Sequence, residues 1–523
     1  MINNMSYINK INNNMCLIVI FIIIIYMICL SGCVSETSRS SLITIAISSD
    51  ISGYDPYISR DVVSLSVNLN FFNQLVELNS ETNGIVPGLA KSWTNPDNKT
   101  WRFYLRENVT FHDGSLFTSE DVKFTINFYR NLSFFTDSFS IIENINVIDQ
   151  YTLEIHTKVP SPLFLYDLVL VNIFSSSYMN SVENLDEYQP IGTGPYKLSE
   201  RIQNESVTIE RFDEYWKNKP EIKTARFIVD EANRHTLSRL KDEEIDLAEI
   251  PFEIVNELSN CSALSIKSIQ SPTVFYIGFD FRENNSIQFP EMKNPVSNQK
   301  VRNAIYYAIN ISEIIKKING FSIGSPSSQF VTSQIFGYNP NIERLEYNIT
   351  KAKSLMNEAG YQNGFSIKMD GSTSNRSKEI INNVADQLAD INITVIPNCL
   401  SFPDYYDKLY YKNTSMYLTA FSPLTAESTI LLMLHSSNIT AGTGVWNYGN
   451  YSNDEVDSLY SLIVNEGNIS TRNEYIKEVF SIAMKDIAWI PLYSPNRFFA
   501  VNNKFSWDPN DAGYFLINEI SFN

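Results

Sequence analysis

Residues that carry reactive chemistry are scarce in this chain of 523 amino acids, which holds 5 cysteines and 4 histidines. Cys16, Cys29 and Cys33 lie near the N-terminus, leaving Cys261 and Cys399 in the body. Without a C-x-x-C pair or a cysteine–histidine cluster, neither a zinc site nor a dithiol redox motif is built by spacing. No H-E-x-x-H occurs either, which excludes zinc-protease chemistry. Cations are also short: 40 Lys and Arg face 58 Asp and Glu, for a formal charge of −18, and no long basic run exists. Sequence-independent nucleic-acid binding needs clustered cations at phosphates and is excluded on that ground. What the chain has in quantity is apolar: 44% hydrophobic and 13% aromatic residues. That is enough for several cores, and the length predicts roughly two to four lobes.

One uninterrupted apolar run stands out, MCLIVIFIIIIYMICL at 15–30. It is shorter than the roughly 20 residues a spanning helix needs, and suits the apolar region of a signal peptide. Leu-Ser-Gly-Cys follows at 30–33 and resembles the lipobox of secreted prokaryotic lipoproteins. That resemblance implies a signal peptide at 1–32, lipidation at Cys33, and a Ser-rich tether at 33–40. The body is then expected at the extracytoplasmic face of the cell membrane. An uncleaved anchor would tether it on the same side. Cys261 and Cys399 either pair there or stay as buried thiols.

Strand and helix signals alternate through the body. Residues 42–47 (LITIAI) are short, apolar and β-branched, the pattern of a strand buried on both faces. Helical spacing covers 62–78. Trp101, Phe103 and Leu105 alternate with Arg102, Tyr104 and Arg106, as in a strand with one buried side. Asp113-Gly114 predicts a turn, and Thr118 to Asp121 a capped helix start. A hairpin is expected over 145–159, with His156 on its outward phase beside Glu154. The run IGTGPYKL at 191–198 lacks G-x-G-x-x-G spacing and precedes no helix, so a close backbone crossing is expected there instead of a phosphate cradle. Helical spacing at 301–318, 347–359 and 381–391 alternates with strands at 274–281, 393–395 and 416–419. The fold class is therefore α/β, in at least two lobes.

No catalytic constellation emerges. Residues 320–324 (GFSIG) fit G-x-S-x-G, but an elbow needs a strand before it and a helix after it. Here a helix ends at Gly320 and Ser325-Pro326 follows. Glu243-Glu244 lies at an acidic helix end, and His112 in FHDG reads as a turn residue. Two late loops, 421–427 (FSPLTAE) and 446–449 (WNYG), combine aromatic walls with a few polar groups, as a small-ligand cleft requires.

The stretch at 87–124, PGLAKSW followed by TWRFYLRENVTFHDGSLFTSEDVKF, resembles the signature of family 5 solute-binding proteins. These are dipeptide-, oligopeptide- and nickel-binding receptors of ABC importers. GTGPYKL (192–198), EIDLAEIP (244–251), VRNAIYYAIN (301–310), YNITKAKSLMNEAGY (347–361), NYGNYSNDEVDSL (447–459) and IPLY (490–493) follow in the family's order. The resemblance implies a periplasmic-binding-protein-like clam-shell with an extra domain inserted near the N-terminus. Lobe I would comprise 41–72, 189–270 and 489–523, the inserted domain 73–188, and lobe II 271–488. It further implies a non-enzymatic receptor, a monomer without cofactor, that delivers short peptides to permease and ATPase subunits. In place of the family's W-x-x-D-like loop stands FSPLTAE, so Glu427 replaces the usual Asp as the anion for a ligand's amino group, with Glu249 a second candidate. Arg60, Val62, Tyr276, Phe421, Trp446, Tyr448 and Tyr493 complete the expected cleft. Two alternatives stay open: a receptor for nickel or another metal chelate, in which His435 would reach the metal, and a sensor or adhesion lipoprotein of the same fold.

Overall fold

Short β-branched and aromatic runs, each closed by a polar turn, build most of the architecture. The computed structural model describes residues 41–54, 61–79, 84–131, 139–161, 164–182, 188–233, 235–284, 288–289, 293–318, 324–423 and 425–523. The apolar run at 15–30, Cys33, Arg60 and most of the 320–324 segment lie outside them. Among the described residues no helix is long and apolar enough to cross a membrane. Residues Ile43–Asn523 form one compact unit; of the other, Met1–Leu42, only the last two residues are described.

Within Ile43–Asn523 a single mixed sheet of twelve strands is organised about Trp489–Asn502, the longest strand described. Its early residues pair antiparallel with Val274–Phe279 and Gly324–Pro326, and its later residues with Leu264–Gln270 and Leu247–Ile250. Beyond Val274–Phe279 the order runs Met416–Phe421, Phe365–Ser372, Ile393–Leu400. Beyond Leu247–Ile250 it runs Leu42–Ile47, Thr224–Val229, Ser206–Arg211, Tyr196–Ile202. Each half has its own apolar core. One gathers Tyr276, Ile305, Val384, Tyr417 and Trp489; the other joins Ile45, Phe227, Phe499 and Ile517. A sequence signal at 490–493 thus marks only the start of a strand that crosses from one core to the other.

A separate four-stranded antiparallel sheet, Ala90–Thr94, Thr100–Leu105, Thr152–Thr157 and Ile142–Asp149, fills the early part of the chain. Trp101, Phe103 and Leu105 point inward and Arg102 outward, as alternation predicts. Phe103 is fully buried in the same core as Ile45, a burial that stabilises by about 2–3 kcal/mol. The expected 145–159 hairpin is present as the last two strands. Helical spacing over 62–78 yields only the helix Val62–Asn68, because Asn70 turns its amide back onto Ser66 O at 2.7 Å and ends it. Phe71 and Phe72 then dive into the core.

The glycines at 192 and 194 are required by a close crossing. A Cβ on Gly192 would lie 2.0 Å from Phe71 O, and one on Gly194 2.4 Å from Phe71 C. The turn is bonded there through Gly194 N to Phe71 O at 2.9 Å. His112 seals it from the small sheet, with Nε2 3.1 Å from Gly194 O and Nδ1 3.3 Å from Pro190 O.

Candidate functional site

Between the two halves of the large sheet lies a cavity of about 630 Å³. One wall comes from the half containing Leu247–Ile250, with Val62, Glu249, Arg497 and the 510–514 loop. The facing wall carries Gln334 to Phe336 with Ser422, Pro423, Thr425 and Glu427, while Ser271 to Thr273 floor it where the chain passes between halves. Tyr166 reaches in from beside the small sheet. A second cavity of about 380 Å³ shares Val62, Glu249 and Arg497 and adds Arg376.

Glu427 stands on the short helix Ala426–Thr429, whose start is fixed reciprocally by Thr425 and Ser428. Ser428 N donates to Thr425 Oγ1 at 3.1 Å, and Thr425 N donates to Ser428 Oγ at 3.3 Å. Gly337, at φ +97, lets the 334–336 segment lie against this helix; a Cβ there would stand 2.7 Å from Ala426 Cβ. Burial pushes the Glu427 carboxyl above the ordinary carboxylate range, and the Arg472 guanidinium pulls the other way. Arg472 Nε lies 3.6 Å from Glu427 Oε1.

Glu249 is placed by the strand Leu247–Ile250 with its side chain at the cavity wall. Arg497 grips it with a two-pronged bond, Nε to Oε1 at 2.9 Å and Nη2 to Oε2 at 2.8 Å. The same guanidinium donates to Ala512 O, so it also holds the 510–514 loop in place. Val62 opens its helix at the cavity and is half exposed.

The structure does not bring the remaining expected residues to the cavity wall. Tyr276 is enclosed by Phe330, Tyr417 and Trp489, because the strand Val274–Phe279 is apolar on both faces and turns this ring into the core. Tyr493 is fully buried and stacked on Phe275 at 5.1 Å. Tyr448 packs edge-on against Tyr417, and Trp446 against Phe421. His435 Nδ1 lies 3.0 Å from Ser436 O and 3.2 Å from Asp457 Oδ1, with its ring against Tyr460. Among the described residues no group of three or more metal-ligating side chains converges.

Sequence reasoning missed Arg497, Arg472 and Tyr166. One signal was available for the first: Glu249 interrupts an apolar run, and a carboxylate there needs a cation across the ladder. Its register partner is Phe499, two residues from Arg497 on the same face.

Residues 84–441 match the family described as "Bacterial extracellular solute-binding proteins, family 5 Middle". The chain belongs to this family. The dipeptide-binding protein of Escherichia coli (strain K12) is 27% identical over 328 residues, 57% of this chain and 59% of that protein. The glutathione-binding protein GsiB of Salmonella paratyphi A is 26% identical over 471 residues, 86% of this chain and 88% of its own. The fold is that of two-lobed periplasmic binding proteins. DppA from Helicobacter pylori, solved in complex with the peptide STSA, superposes with a TM-score of 0.72 at 23% identity over 92% of this chain and 98% of that one. The family 5 chain is a solute-binding protein and not an enzyme.

Proposed function

We propose that this family 5 protein is the lipid-anchored receptor of an ABC-type importer and that it binds short peptides by their free amino terminus. The observation that carries this reading is Glu427: a carboxylate at the wall of a 630 Å³ cavity that Tyr166 and Phe336 also line, across from the half of the sheet that carries Glu249 and Arg497. A charge-assisted bond from an ammonium group to a largely buried carboxylate is strong and directional. The names of the dipeptide-binding and STSA-bound relatives support the same ligand class. In this reading 41–72, 189–270 and 489–523 form lobe I, 73–188 the inserted domain and 271–488 lobe II, and the ligand is engulfed by hinge closure. Cys33 carries the lipid.

Calorimetry with trialanine and with N-acetyl-trialanine tests it. Trialanine is expected to bind, the acetylated peptide to bind at least about tenfold more weakly, and Glu427→Gln to erase that difference. Equal affinity for the two peptides, or retention of nickel without peptide, would sink the reading.

A further inference from the structure

Arg302 and Arg472 are both buried in the second half of the molecule, and they differ in what they touch. Arg302 satisfies its fork with backbone carbonyls: Ile487 O at 3.0 Å, Val296 O at 3.0 Å, Ser297 O at 2.8 Å and Asp486 O at 2.8 Å. That is how a structural arginine is accommodated in an interior. Arg472, on the helix Ile469–Lys485, is 2% exposed, yet its buried Nε has no hydrogen-bond acceptor. It has instead the Glu427 carboxylate at 3.6 Å and the face of Tyr166 at 4.9 Å. Both of those residues line the cavity. A buried cation with an unfilled donor is costly unless its charge is used, and the only acid within ion-pair distance among the described residues is the cavity carboxylate.

We propose that Arg472 is a positioning residue for the ammonium subsite: from behind the cleft wall it holds Glu427 as an anion directed at the cavity, and so makes ligand selection depend on a ligand-borne cation. This rests on the reading of Glu427 given above. The electrostatic setting is asymmetric. Tyr460, on Asp454–Asn465, stands near the carboxylate; its hydroxyl is raised by burial and then by the fields of Glu427 and of Asp167, on Phe164–Leu168. Arg472 is the cation that offsets them. Burial alone favours the protonated carboxyl, which has no use for an ammonium group.

Arg472 therefore has two opposed effects on ligand: it keeps Glu427 ionised, and its own charge repels an ammonium. Their balance changes with pH, and this gives the test. Affinity for trialanine is measured at about pH 5 and about pH 8 in wild type, Arg472→Met and Arg472→Lys. Arg472→Met should bind roughly tenfold more weakly at the acid end and equally or more tightly at the alkaline end; Arg472→Lys should restore part of the acid-side affinity. A parallel loss at both pH values would overturn the proposal and leave Arg472 a packing residue. Should Arg472→Met not fold, the intact protein decides the matter. Calorimetry near pH 6, where the peptide amine is already protonated, in buffers of different ionisation heat should show no proton released on binding; release of a proton there would overturn the proposal. Glu427→Gln separates the two readings. If it leaves trialanine affinity unchanged, the ammonium subsite itself is wrong; if it weakens binding while Arg472→Met leaves the pH profile as in wild type, only the role of Arg472 is wrong.

Discussion

An imidazole sealed from water, with a backbone N–H donating to one of its ring nitrogens, has much to lose on protonation. His112 is in that position, and burial drives its pKa from 6.5 down to about 4, against a smaller upward pull from Gly194 O and Pro190 O. A histidine whose pKa is lower folded than unfolded is neutral in both states above about pH 6.5. Below that the unfolded chain takes up a proton that the folded chain refuses, so stability falls as pH drops from about 6.5 toward 4. The expected contribution is up to about 1.4 kcal/mol per pH unit. His112→Asn should flatten that part of the stability–pH curve, measured by urea unfolding between about pH 4 and pH 7, at some cost at neutral pH. An unchanged acid slope would show that other groups dominate. The turn reading of FHDG from sequence was local and placed His112 correctly beside Asp113-Gly114. Its contacts come from residues 78 and 82 positions away, which no local pattern announces.

At the scale of elements, the helix Ser119–Arg130 shows how a capping residue can do a second task. Asp121 Oδ2 accepts from Thr118 N at 2.8 Å, as the S/T-x-x-D spacing suggested. Its Oδ1 accepts from Ser176 N at 2.9 Å and Ser176 Oγ at 2.7 Å, which ties this helix to the start of Ser176–Ser181. Asp121 is 4% exposed, and Asp121→Ala leaves several buried donors without an acceptor. A loss of about 2–4 kcal/mol is expected, with hydrogen exchange accelerated first in both helices; a change under about 0.5 kcal/mol would refute the double role. Elements were legible wherever the side chain that makes them also ends them. Asn348 and Ser374 each cap a helix that periodicity had located. The glycines at 192 and 194 were readable as a crossing because only a residue without Cβ fits there. The cleft walls were less so. Glu427 is conspicuous as an acid in an aromatic and polar loop, but Arg472 lies on an amphipathic helix where an arginine ordinarily faces water. Only the packing of that helix under Ala426–Thr429 turns it inward. Tyr276 and Tyr493 sit on strands apolar on both faces, and such strands do not say which face meets a ligand.

At the scale of the whole molecule, Trp489–Asn502 is what makes two half-sheets into one. Ala500 faces Ala248 on one side and Ile266 on the other, so it occupies a central position in the ladder. Ala500→Pro removes a ladder donor there and should cost about 3 kcal/mol or more. Because the strand is shared, the loss is expected as one cooperative transition seen by both far-ultraviolet and tryptophan signals; two separate transitions would mean that the halves fold independently. The strand's place in the sequence has a kinetic consequence. It is made after nearly all of its partners, and it is not alone in coming late. Asn70, near the beginning, reaches its final bonds only with Phe515 O at 3.1 Å and Ile517 N at 2.9 Å. A chain emerging vectorially from the ribosome therefore carries an incomplete sheet, with open strand edges and exposed apolar faces, until Trp489–Asn502 and the residues around Ile517 have appeared. Such a nascent chain is a natural client for holding chaperones, and it stays threadable for as long as its keystone strand is missing.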